Sequence, residues 1–174
     1  MKVESKLLKG MLAMLGTSEY RDMHKHIYFD DEQKAVCAFS PVNGVFVRFG
    51  EEPVDFASLN PKAVPIKSVK MAVASGDKFI ELNDWADEFV LKNEYVKAFG
   101  RMLSDTTCEI SPKHQIDIKD IAKLTKVMDL AKSDDVTSKH KYAYNFKYTK
   151  QNLLVFTSRS KSVCVDAVCS LIYA

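Results

Sequence analysis

The sequence predicts an α+β fold built from repeated helix-plus-antiparallel-strand units, with the helices on one face of the sheet. Three observations predict it. Apolar residues recur at helical spacing in three separate stretches, and each stretch is followed by short runs at strand spacing. The strands come in runs instead of alternating singly with helices, which favours a segregated arrangement over a doubly wound one. The chain also matches itself under one ungapped shift: Lys2, Lys6, Leu7, Lys9 and Met11 recur as Lys119, Lys123, Leu124, Lys126 and Met128, and Phe29 and Phe39 as Phe146 and Phe156. A match that spans a helix-like stretch and two strand-like stretches, with intervening lengths kept, predicts a repeated structural unit.

The first helix is predicted over 4–15, with Leu7, Leu8, Met11, Leu12, Met14 and Leu15 on one face and Gly16 as its stop. Three strands follow: His26–Phe29, Ala35–Phe39 after the polar turn Asp30-Asp31-Glu32-Gln33, and Val45–Phe49 after a turn at Pro41-Val42-Asn43-Gly44. Asn-Gly is a favoured tight-turn pair. Residues 50–64, with Pro53 and Pro61, predict a connecting loop with room for one edge strand. Pro65 opens a second helix whose stripe is Ile66, Val69, Ala72 and Val73, and Ser75-Gly76-Asp77 ends it. Lys78–Leu82 and Glu88–Leu91 predict strands, and 94–104 fits either a third strand or a short helix. After a strand at Thr107–Ile110, Asp117 is an N-cap candidate, with Asp120 in the place of a capping-box acid. The third helix is predicted over 118–131, with Ile118, Ile121, Leu124, Val127, Met128 and Ala131 inward. Tyr142–Tyr148, Leu153–Thr157 and Ser162–Val168 complete the strands. The units divide the chain into 1–105, a long plus a short helix–strand unit, and 106–174, a further long unit that stands apart or joins the same sheet.

Bulk properties narrow the function. At 174 residues, 47% apolar and 28% charged, the composition is that of a folded globular chain. A net charge of +2 gives no overall field that demands an acidic partner, so a nucleic-acid surface would need local segregation of charge. No apolar run approaches the roughly 20 residues that span a bilayer, and Lys6 and Lys9 interrupt the N-terminal apolar stretch as no signal peptide would. Cys37, Cys108, Cys164 and Cys169 lack paired-ligand spacing, which points to a reducing cytoplasm.

The sharpest functional signal is charge placement. Each predicted helix carries a Lys pair at i, i+3: Lys6 with Lys9, Lys67 with Lys70, Lys123 with Lys126. That spacing keeps both side chains on one side of a helix. Three such helices side by side would present a lysine surface able to hold DNA phosphates without reading bases. The competing reading is of solvated helix faces. Other constellations have plainer explanations. His24 and His26 lack further ligands for zinc, and Asp30, Asp31 and Glu32 suit a hairpin turn. Tyr142, Tyr144, Phe146 and Tyr148, interleaved with Lys141 and Lys147, suit either base stacking or a half-buried strand. Cys164 shows no base beside it, and no phosphate loop or hydrolase motif occurs, so neither an enzyme nor a cofactor is expected.

The layout from Lys6 to Phe49, from Pro65 to Leu91 and from Lys123 to Val168 resembles the DNA sliding clamps, the bacterial polymerase processivity factors and their phage relatives. The stretch KAVPIKSV is similar to the crossing into a clamp's short helix, and YNFKYTKQNLLVFTSRSKSVCVDAV is similar to clamp strands. The resemblance implies a non-enzymatic replication factor with helices lining duplex DNA, a homo-oligomer that tethers a polymerase or another replication protein. Three units make one and a half clamp domains, a departure from the family pattern. The alternative is a phage-type module that binds a replication protein without touching DNA.

Overall fold

The structure is a computed structural model that describes residues 2–15, 21–40, 43–50, 54–56, 62–82, 93–107, 114–128, 130, 145–160 and 163–173. The chain runs β1 (Lys2–Glu4), α1 (Ser5–Leu15), a 3-10 turn (Asp22–Lys25), β2 (His26–Asp30), β3 (Ala35–Phe39), β4 (Asn43–Phe49) and β5 (Lys62–Pro65). It continues with α2 (Ile66–Val73), β6 (Phe79–Glu81), α3 (Asn93–Ser104), β7 (Thr106–Thr107) and β8 (His114–Gln115). The last elements are α4 (Ile118–Met128), β9 (Asn145–Thr149), β10 (Leu153–Arg159), β11 (Val163–Ser170) and β12 (Ile172–Tyr173).

The fold is α+β. Eight strands form one sheet in the order β5-β2-β3-β4-β11-β10-β9-β7, and every neighbouring pair is antiparallel. Two meanders, β2-β3-β4 and β9-β10-β11, meet through their last strands. The seam pairs Phe49 with Val163 at one end and Asn43 with Cys169 at the other. A helix precedes each meander, and α1 packs directly against α4. The two stretches that match in the sequence thus lie in the two halves of one sheet.

Strand alternation sorts the core into two layers, since successive side chains leave opposite faces of the sheet. Ile27, Phe29, Val36, Ala38, Val45, Val47, Val165, Ala167 and Cys169 face α1, α2 and α4, which contribute Leu8, Met11, Val69, Leu124 and Val127. Tyr28, Cys37, Phe46, Val155 and Val168 face the other way, onto Val96, Phe99 and Leu103 of α3. The stretch 94–104 therefore resolves as a helix, and this fourth helix covers the opposite face from the other three.

Four local readings change. Asn43-Gly44 is the start of β4 and not a turn: Asn43 pairs with Cys169, and a Cβ on Gly44 would lie 2.6 Å from Phe99 Cζ. Glycine is there so that α3 can press its phenyl ring onto the sheet. Asp117 does cap α4, its Oδ1 accepting from the Lys119 N–H at 2.8 Å. Asp120, however, turns inward to accept from Asn43 Nδ2 at 3.1 Å and from Lys123 at 2.8 Å. The buried stripe of α4 therefore follows Asp120, Leu124 and Val127, and Ile118 and Ile121 lie off it, 77% and 43% exposed. Finally, Phe39 and Phe156 are not equivalent. Phe29 pairs with Val36 while Phe146 pairs with Phe156. Phe156 accordingly packs towards α1 and Phe39 towards α3. The expected strand at Glu88–Leu91 and the positions Tyr142, Tyr144, Cys108 and Ala131 lie outside the described residues.

Candidate nucleic-acid interface

Helices α2, α1 and α4 lie in that order on one sheet face, because α1 packs against both of its neighbours. Each buries its apolar stripe and turns the opposite side away from the sheet. Lys6 and Lys9 of α1, Lys67 and Lys70 of α2, and Lys126 of α4 are exposed, and Lys119 joins them. Neither α1 nor α2 contains an acidic residue. Lys9, Lys67, Lys70 and Lys126 make no ion pair among the described residues. Lys123 differs: it is about one-third exposed and its ammonium sits 2.8 Å from Asp120 Oδ1. The pairing, within α4, offsets much of that lysine's charge, and the same carboxylate ties α4 to the start of β4 through Asn43.

The remaining positions singled out in the sequence are structural. His24 lies in the 3-10 turn, with its ring edge-on to Phe39 at a centroid distance of 5.8 Å. Burial, with a smaller push from Arg21, holds its pKa below 6.5. His26 lies on β2, its Nδ1 2.8 Å from the Asp22 carbonyl oxygen, so the two rings do not converge on one point. No cluster able to hold a metal occurs among the described residues. The Asp30 carboxylate is buried and accepts from the Gln33 backbone N–H and side-chain amide, which closes the β2–β3 turn. Phe146 is 61% exposed on β9, edge-on to Tyr148. Burial pushes the thiols of Cys37 and Cys169 up, that of Cys169 to about 12. No helix among the described residues is long and apolar enough to cross a membrane.

Sequence reasoning missed one polar network altogether. Asp166 of β11, 2% exposed, is ion-paired to Arg48 of β4 and accepts a 2.6 Å hydrogen bond from the Thr157 hydroxyl of β10. The signal was present: an acid in the middle of the apolar run VCVDAV has no reason to be there without partners.

No family model matches the chain, and no curated protein matches it. Among solved structures, the DNA polymerase III subunit beta of Borrelia burgdorferi, in complex with a natural product, aligns at 9% identity with a TM-score of 0.47. The alignment covers 99% of this chain and 63% of that one. A structure assigned to a DNA polymerase III beta subunit of Eubacterium rectale aligns at 13% identity with a TM-score of 0.34, over 97% of this chain and 49% of that one. The likeness is weak and concerns the fold, and the chain spans less than two thirds of the length of either molecule.

Proposed function

We propose that this chain is a non-enzymatic replication factor of the sliding-clamp kind that contacts duplex phosphates through Lys6, Lys9, Lys67, Lys70, Lys123 and Lys126. The observation that supports this reading is the exposure of lysines from three adjacent helices on one side of the sheet, with no acid on two of the three. Lysine suits such contact, because a flexible point charge attracts phosphates without imposing a forked geometry. Contact of this kind tolerates sliding, since it carries no base readout. Acting by topology would require several copies to enclose the duplex, with a polymerase or another replication protein as the tethered partner. Among the six lysines, Lys123 contributes least, because Asp120 holds it.

The test is a salt titration of duplex binding by the full chain and by a variant with Gln at Lys9, Lys67, Lys70 and Lys126. These substitutions sit on exposed helix surface and leave the core untouched. The expected result is weaker binding and a shallower dependence on salt, the slope falling by roughly 0.9 for each phosphate no longer neutralised. An unchanged slope removes the DNA assignment and favours the rival reading, a module that binds a replication protein without touching DNA.

A further inference from the structure

At the end of the seam far from Asn43, an open recess of about 340 Å³ is lined by Arg48, Phe49, Gly50, Arg159, Ser160, Val163 and Cys164. Strand register builds it. Arg48 of β4 pairs with Cys164 of β11, and Cys164 pairs in turn with Arg159 of β10. Directly paired residues share a face, so two arginines flank one cysteine in the register, their Cα atoms roughly 10 Å apart across two interstrand spacings.

Each arginine is presented differently. Arg48 is fixed: its guanidinium stacks over Phe46 at 5.1 Å and is ion-paired to Asp166. The Asp166 side chain is only 3% exposed. Its second oxygen is taken by Thr157, so the carboxylate is spent on orienting Arg48 and on nothing else. The pair is buried on one side only, since the Arg48 side chain is 42% exposed, and the buried carboxylate requires such partners to offset its loss of water. Asp166 offsets much of the charge of Arg48, as Asp120 does that of Lys123, so Arg159 supplies the net attraction, and Arg48 offers the guanidinium donors that the ion pair leaves unspent. Arg159 is exposed and makes no ion pair among the described residues. Two arginines on the wall of one recess suit the oxygens of a phosphate, because arginine is fitted to bidentate recognition of such groups.

We infer that this recess binds a phosphate dianion, free or as a phosphomonoester, between Arg159 and an Arg48 held in place by Asp166. The site lies at the end of the seam, and it stands whether or not the duplex reading does.

Cys164 provides the readout. It lines the recess and is half-buried, whereas Cys37 and Cys169 are buried. Alkylation of the full chain by a neutral maleimide is followed at the Cys164 peptide by mass spectrometry. Potassium phosphate is expected to slow that labelling, while potassium chloride of equal ionic strength is not. Adenosine monophosphate, compared with adenosine, separates sources: protection by the nucleotide but not the nucleoside extends the site to phosphomonoesters, and protection by phosphate alone restricts it to the free ion. The R159Q variant, at an exposed strand end, should raise the phosphate concentration needed for protection by about tenfold, the effect expected of removing one charge-assisted hydrogen bond. A T157V variant, which loosens Asp166 without unpairing it, should raise it by a smaller factor. Gln at Lys9 and Lys67 should leave it unchanged. Equal labelling in phosphate and chloride, or protection indifferent to R159Q, would overturn the inference and leave Arg159 a solvated strand end.

Discussion

At the scale of single residues, burial decides what each titratable group does. His24 illustrates the point. A lowered pKa means that the folded chain takes up its proton at lower pH than the unfolded chain does. Unfolding then takes up a proton between the two values. The stability this group provides is complete above about 6.5, its ordinary value, and is lost as pH falls through the depressed one. Thermal denaturation should therefore give a melting temperature that is level from pH 8 to 7 and declines below 6.5. The contribution of one proton is capped at about 1.4 kcal/mol per pH unit. H24F should flatten that decline, and an unaltered decline would assign it to other groups. The sequence offered His24 only as a candidate ligand, because the helical twist of residues 22–25 that points it at Phe39 leaves no mark in periodicity. Asp166 was legible only as an oddity, since its partners Arg48 and Thr157 come from two other strands.

At the scale of elements, the apolar pattern foretold most of the architecture. Helix α1, the first meander, α2 and the second meander follow directly from 3.6-residue and two-residue spacing, because each buries one continuous face. The pattern failed where a second layer intervened. Residues 94–104 stayed ambiguous because Val96, Phe99 and Leu103 fill a helical stripe only three residues wide, which a strand could also accommodate. Asn43-Gly44 looked like a turn because the demand for a glycine came from Phe99, far along the chain. Ile118 and Ile121 looked inward because nothing local announces that Asp120 takes the inner position. The clearest test of the second layer is G44A. The new methyl group would meet Phe99 Cζ at 2.6 Å and Phe39 Cβ at 3.2 Å, and Phe99 is itself wedged between Phe39 and Phe46. The expected destabilisation is about 1–3 kcal/mol, the usual cost of overpacking a core, read from urea denaturation. A change within about 0.5 kcal/mol, the size of an ordinary surface substitution, would mean that α3 is free to move off the sheet.

At the scale of the whole molecule, the seam between β4 and β11 governs. Both meanders complete themselves there, and α1 leans on α4 above it. The sequence suggested a division into 1–105 and 106–174 and left open whether the two parts stand apart or share a sheet. Hydrogen bonding across the seam leads us to expect that neither folds alone. A fragment of residues 1–105 should lack dispersed amide resonances in its NMR spectrum and regain them when residues 106–174 are added. A well-dispersed spectrum from the isolated fragment would show that β4 tolerates an open edge. The lysine surface belongs to this scale too, since it needs α2 from one part of the chain and α4 from another to lie beside α1.

The seam also sets a timetable. The ion pair between Arg48 and Asp166 joins residues 118 positions apart, so β4 must wait for a strand that leaves the ribosome long after it. Contacts of such long range are slow to form, because closing the intervening loop costs entropy before any bond rewards it. In that interval Val45, Val47 and Phe49 line an unpaired edge of the kind that recruits other chains into aggregates. A chaperone that shields nascent hydrophobic strands should therefore raise the soluble fraction of this protein on co-expression.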